Sequence, residues 1–151
     1  MIPAFSAAGV IPPFVGDAAA PGPRSPYAVS TSDVVQRFAT STKRCEIMCG
    51  WLSYRAQLHA LGFSDGFQWL DGSFCGRLET REPNDVDLVT FYVKPAGADL
   101  TALAASRPEL FVPRLARRRY LCDVPLAPTH DADALNTLTL TTAMLPNPLA
   151  P

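Results

Sequence analysis

The chain has 151 residues, 48% of them hydrophobic and 18% charged, and carries a formal net charge of −1. That length is most simply one domain, with enough apolar material for a core of its own. A balance this near neutral excludes bulk attraction to nucleic acid or anionic membrane, so any such contact has to be local.

Residues 1–26 are rich in Pro, Ala and Gly and read as an arm, with Ile11-Pro12-Pro13-Phe14-Val15 as its adhesive piece. Such a segment either lies over the domain as polyproline-type chain or stays mobile. Met1-Ile2-Pro3-Ala4-Phe5 lacks a basic flank and is broken by proline, which makes it a poor signal peptide. No apolar run approaches the ~20 residues of a membrane span, and a cytoplasmic protein without membrane contact is expected. The four cysteines, Cys45, Cys49, Cys75 and Cys122, lack zinc spacing and read as reduced, mostly buried thiols.

The domain proper is expected over residues 27–128. Ser32 stands before Val34, Val35 and Phe38 as a helix cap. Ser41 or Thr42 opens a longer helix whose apolar stripe runs through Cys45, Met48, Cys49, Leu52, Ala56 and Ala60, widened by Leu58 and Leu61. Gly50 inside it suggests a close helix contact, and Gly62 a stop. His59, near the helix end, reads as a solvent-facing or carbonyl-capping histidine rather than a catalytic one. Trp51, Tyr54 and Trp69 read as core aromatics.

Phe67–Leu70 is the first predicted strand, Gly72-Ser73 a turn, and Gly76–Asn84 a polar loop. Asp85–Val93 is the clearest strand, with Asp85, Asp87, Val89, Phe91 and Val93 on one face. Beyond the aspartates both faces are apolar, as in an interior strand. Leu100–Ser106 fits a short helix, and Pro108 and Pro113 are expected to break the segment after it. Arg114 to Arg119 form a basic run that suits a triphosphate or an RNA backbone but more simply reads as a solvated face. Tyr120–Val124 is a third, short strand ending at Pro125. Asp131–Leu135 can begin a helix, and residues 129–151, rich in Thr, Leu and Pro, read as a disordered tail.

Two carboxylates two residues apart on a strand point to the same side and repel one another, unless a cation stands between them. Hard oxygen donors suit Mg²⁺, with Mn²⁺ as a substitute. A third acid on a neighbouring strand would complete a clamp for phosphoryl chemistry, and Asp123 is the only downstream acid in a strand-like setting. A strand-edge acid paired with one of Arg117–Arg119 is the other reading of Asp123. Gly72 lets the backbone approach a phosphate, and the Ser73 hydroxyl adds a donor. Asp71 reads as a turn residue.

An apolar strand ending in Gly72-Ser73, eleven residues (74–84), then Asp85-Val86-Asp87 opening another apolar strand, resembles the polymerase-beta-like nucleotidyltransferase superfamily. The wording Trp69-Leu70-Asp71-Gly72-Ser73-Phe74, with Pro83-Asn84-Asp85-Val86-Asp87 and Ile11-Pro12-Pro13-Phe14, is also similar to a family of small uncharacterised bacterial nucleotidyltransferase-like proteins. The likeness covers roughly residues 9–126 and departs after the third strand, where a further helix would be expected. It implies an α/β (α+β) fold with a short mixed sheet packed against an N-terminal helical pair. It implies a metal site of Asp85, Asp87 and Asp123, nucleotide phosphates held at Gly72 and Ser73, and a nucleoside triphosphate as donor. The acceptor would be a hydroxyl of a protein or of nucleic acid such as RNA. Relatives in toxin–antitoxin or phage-defence pairs suggest the alternative, a catalytically silent module that binds a partner protein or nucleotide.

Overall fold

The computed structural model describes residues 1–77 and 81–124, and the backbone of 126–128. The expected helix start at Asp131–Leu135 and the tail at 129–151 lie outside these residues.

The first helix, α1 (Thr31–Phe38), is capped by Ser30 rather than Ser32. Ser30 Oγ accepts from the Asp33 N–H at 3.1 Å, and the Asp33 carboxylate accepts from the Ser30 N–H at 3.1 Å. This reciprocal box needs an acid or amide three residues after the cap, which Ser30 has and Ser32 lacks. Helix α2 (Thr42–Ala60) opens on Ser41, whose side chain accepts from the Arg44 N–H.

The buried face of α2 is Arg44, Ile47, Met48, Trp51, Tyr54 and Leu58. The expected stripe was therefore turned by about one residue, roughly 100° of helix. Cys45 and Cys49 are exposed, Leu52 is 37% exposed, and only Cys122 of the four free thiols is buried. The reason is area: Trp51 and Tyr54 each bury far more apolar surface than Cys or Ala, and their side of the helix takes the core.

Strand β1 (Gly66–Asp71) runs antiparallel to β2 (Val86–Tyr92), in register from Gly66 opposite Tyr92 to Asp71 opposite Asp87. Three short helices follow: α3 (Leu100–Ser106), α4 (Pro108–Phe111) and α5 (Pro113–Tyr120). Pro108 and Pro113 start helices instead of breaking them, since the first helical position needs no N–H. This helical segment is the crossover that parallel pairing requires. It returns the chain to β3 (Cys122–Asp123) and β4 (Leu126–Pro128), which both pair parallel with β2, the first at Val86–Asp87 and the second at Thr90–Tyr92. Tyr120 ends α5 and is not part of the strand; Leu121, in the left-handed region at φ 55°, makes the corner.

The fold is thus mixed α/β: a small mixed sheet with β2 at its centre, behind an N-terminal pair of helices. Trp51, Tyr54, Val86, Leu88, Leu110 and Val124 are buried where helices meet sheet. Gly50 lets α5 approach α2 so closely that a Cβ there would overlap the Tyr120 carbonyl. The first part of the arm lies against the domain: Ile2, Phe5 and Ile11 pack on the core, and Tyr27 donates its hydroxyl to the Pro12 carbonyl at 2.7 Å. Among the described residues, no helix is long and apolar enough to cross a membrane.

Candidate functional site

Strand pairing gathers the acids. Asp71 on β1, Asp87 on β2 and Asp123 on β3 stand in one row across the sheet, each directly opposite the next. Side chains of directly opposed residues share a face, with Cβ atoms roughly 4.5–5.5 Å apart in an antiparallel pair. Asp85, predicted to open this strand, stands in a bend just before it, close enough for its charge to act on Asp87 and for Arg117 to reach both it and Asp123. The sequence placed Asp85, Asp87 and Asp123 together, and the structure adds Asp71 as a fourth member.

Their environments differ. Asp85 is buried, Asp87 and Asp71 are exposed, and Asp123 is half-buried. The Asp87 carboxyl is held above its usual range by desolvation first, then by the charges of Asp85, Asp123 and Asp71, with Arg117 opposing them. A cluster of like charges with that effect on its central member is short of positive charge.

Part of the missing charge comes from α5. Arg117 Nε stands against Asp85 Oδ2, and its Nη1 lies 4.0 Å from Asp123 Oδ2. Asp85 Oδ2 is buried yet receives no directed hydrogen bond, so the contact is one of charge more than of aligned donors. The basic run is therefore not merely a solvated face. Arg118 is exposed, but Arg117 reaches the site from beside the buried Ala116. The helical phase held that signal: Ala116 and Tyr120 mark the inner face, and Arg117 flanks it one turn before the corner at Leu121.

Gly72 and Ser73 form the lip above Asp87. Gly72 sits at φ 77°, and a Cβ on it would overlap the Asp87 carboxylate. Only glycine fits so close a crossing. Ser73 begins a 3-10 turn, Ser73–Cys75, that two contacts anchor from below. Phe74 is buried, 5.5 Å from the Phe38 ring centroid. The buried Arg44 donates to the Phe74 carbonyl at 2.7 Å and to the Gly76 carbonyl at 2.6 Å. Charge-assisted bonds of this kind are about twice as strong as neutral ones, so α2 fixes where the turn stands. Cys75 in this turn is no nucleophile, since burial, with help from Asp71, pushes its thiol up to about 12.

No three His, Cys, Asp or Glu side chains among the described residues close on one point as a ready metal cage. In chemistry the donor set nevertheless fits a hard divalent cation. Carboxylate oxygens are what Asp71, Asp85, Asp87 and Asp123 offer, and at Asp87 desolvation and then the charges of the other three raise the pKa. His59, exposed in the last turn of α2, takes no part; Trp51 and Tyr54 are core, while Trp69 is half-buried, its ring 4.3 Å from that of Phe91.

Residues 3–144 match the model of a family of unknown function, DUF6932. The chain belongs to this family. Its match spans the Gly72-Ser73 lip, all four aspartates and Arg117, so the whole candidate site lies within the DUF6932 region. No curated protein and no solved structure matches the chain.

Proposed function

We propose that the protein is a Mg²⁺-dependent nucleotidyltransferase that moves a nucleoside monophosphate from a nucleoside triphosphate to a hydroxyl of a protein or nucleic-acid acceptor. One observation carries the reading: Asp123, distant in sequence, pairs directly opposite Asp87 and shares Arg117 with Asp85, while Gly72 crosses over the Asp87 carboxylate.

In this reading Asp85, Asp87 and Asp123 hold Mg²⁺, or Mn²⁺ in its place, which when bound neutralises charge on the triphosphate. The Gly72 backbone and the Ser73 hydroxyl hold phosphate oxygens, since a glycine lets the backbone come close to an anion and a hydroxyl donates to it. Asp123, half-buried at the edge, accepts the proton of the attacking hydroxyl. The hydroxyl oxygen bonds to the α-phosphorus and pyrophosphate leaves with the electrons of the broken bond. Arg44 and Phe74 act only by fixing the lip.

Purified protein with Mg²⁺ and labelled nucleoside triphosphates is expected to bind nucleotide and transfer label, and Asp87→Ala to abolish transfer. An absence of nucleotide binding by calorimetry at millimolar Mg²⁺ would overturn the enzyme reading.

Arg117 favours a second reading. A guanidinium already set against Asp85 and near Asp123 supplies charge without a metal, as a catalytically silent module requires. Such a module would bind a nucleotide or a partner protein, as in a toxin–antitoxin or phage-defence pair. Nucleotide binding without label transfer, unchanged by Asp87→Ala, identifies it.

A further inference from the structure

Arg117 brings the chain's own cation to the carboxylate cluster. Its Nε stands against Asp85 Oδ2, and its Nη1 lies 4.0 Å from Asp123 Oδ2. These are oxygens of two of the three acids that the proposed function gives to a metal, and the inference rests on that metal-binding reading. A guanidinium and a divalent ion drawn to the same two carboxylates compete for their charge and repel each other.

We propose that Arg117 is the resident counter-ion of the metal-free site, and that a divalent cation binds by displacing it. Three features suit it to exchange rather than permanent pairing. Its side chain is 54% exposed, so it can turn to solvent, while the Asp85 side chain is 11% exposed and stays in place. It sits on the last turn of α5 between the buried Ala116 and Tyr120, which hold the helix while the side chain moves. Its contact with Asp85 lacks directed hydrogen bonding, so leaving forfeits charge attraction and no aligned pair of bonds.

The exchange sets the affinity of the site. With Arg117 in place, Asp85 is not left as an uncompensated buried charge when metal is absent. The same contact opposes metal entry, so occupancy responds to metal concentration instead of being permanent. Arg117 is a positioning residue in this sense, acting through Asp85 and Asp123 rather than on a substrate. Its exposed neighbour Arg118 provides a control of equal charge.

The test titrates Mn²⁺ alone, by calorimetry and by electron paramagnetic resonance, into the full chain and four variants. Arg117→Gln is expected to tighten Mn²⁺ binding about tenfold, a typical size for one coupled charge. Arg118→Gln, with the same change in net charge, stays at the wild-type value. Arg117→Lys keeps the charge but loses the planar fork and falls between them. Asp87→Asn abolishes binding. Thermal melts give a second readout: metal-free Arg117→Gln melts below wild type, and Mn²⁺ raises its midpoint by more.

Asp87-dependent Mn²⁺ binding that is equal or weaker in a folded Arg117→Gln protein overturns the exchange and leaves the metal site standing. Absence of Mn²⁺ binding in both wild type and Arg117→Gln, or binding that survives Asp87→Asn, overturns the metal site and the exchange together. Should Arg117→Gln fail to fold, Arg117→Lys decides, since affinity no tighter than wild type contradicts the proposal.

Discussion

Gly72 and Arg117 bracket the site at the level of single residues, one by having no side chain and the other by having a long charged one. Gly72 lies at φ 77°, with the Asp87 carboxylate where its Cβ would be. Gly72→Ala therefore meets both backbone strain and overlap, at a cost on the order of 1–3 kcal/mol. The expected result is a lower urea midpoint together with weakened Mn²⁺ binding, because Asp87 has to turn away. An alanine variant as stable as wild type would show that the lip does not cross Asp87 as described. Gly72, Ser73, Asp85 and Asp87 were legible in sequence because they lie on or beside a continuous pattern of strand, turn and strand. Arg117 was legible only as one of a run of arginines, since a run does not say which member faces inward.

Elements decide where those residues stand. Helix α2 carries a close helix contact at Gly50, where a Cβ would overlap the Tyr120 carbonyl of α5. Gly50→Ala gains up to ~1 kcal/mol of helix propensity. It loses about 1–3 kcal/mol to overpacking, as backbone rather than a flexible side chain must move. The second effect wins, and urea unfolding is expected to show net destabilisation of roughly 1–2 kcal/mol. A more stable variant would show that α2 and α5 do not cross there. Sequence foresaw a close contact at Gly50 from the glycine alone. It missed the rotation of the α2 face, because Cys45, Met48, Cys49 and Leu52 repeat at the same spacing as Arg44, Ile47, Met48 and Trp51. Periodicity fixes that a helix has a stripe; the size of the side chains chooses between two stripes one residue apart.

The whole molecule includes its N-terminal arm. Ile2, Phe5 and Ile11 pack on the core, Arg37 donates to the Pro3 carbonyl at 3.1 Å, and the Arg37 guanidinium lies 4.0 Å from the Phe5 ring centroid. Partly buried side chains contribute about 1 kcal/mol each, so deleting residues 1–12 is expected to cost roughly 3 kcal/mol in urea unfolding. An unchanged midpoint would mean that the arm lies on the domain without stabilising it.

By itself the sequence determined the mixed α/β class, the helical pair, the two main strands and the placement of two aspartates at a strand start. These are local properties, written in caps, turns and alternation over a few residues. The tertiary structure decided what those aspartates face. Asp71 and Asp123 come from strands on either side of β2, and Arg117 comes from a helix that the crossover returns to the same end. Strand register and helix rotation bring them together, and both depend on how apolar area is shared between distant segments. That quantity is settled only when the whole core is packed.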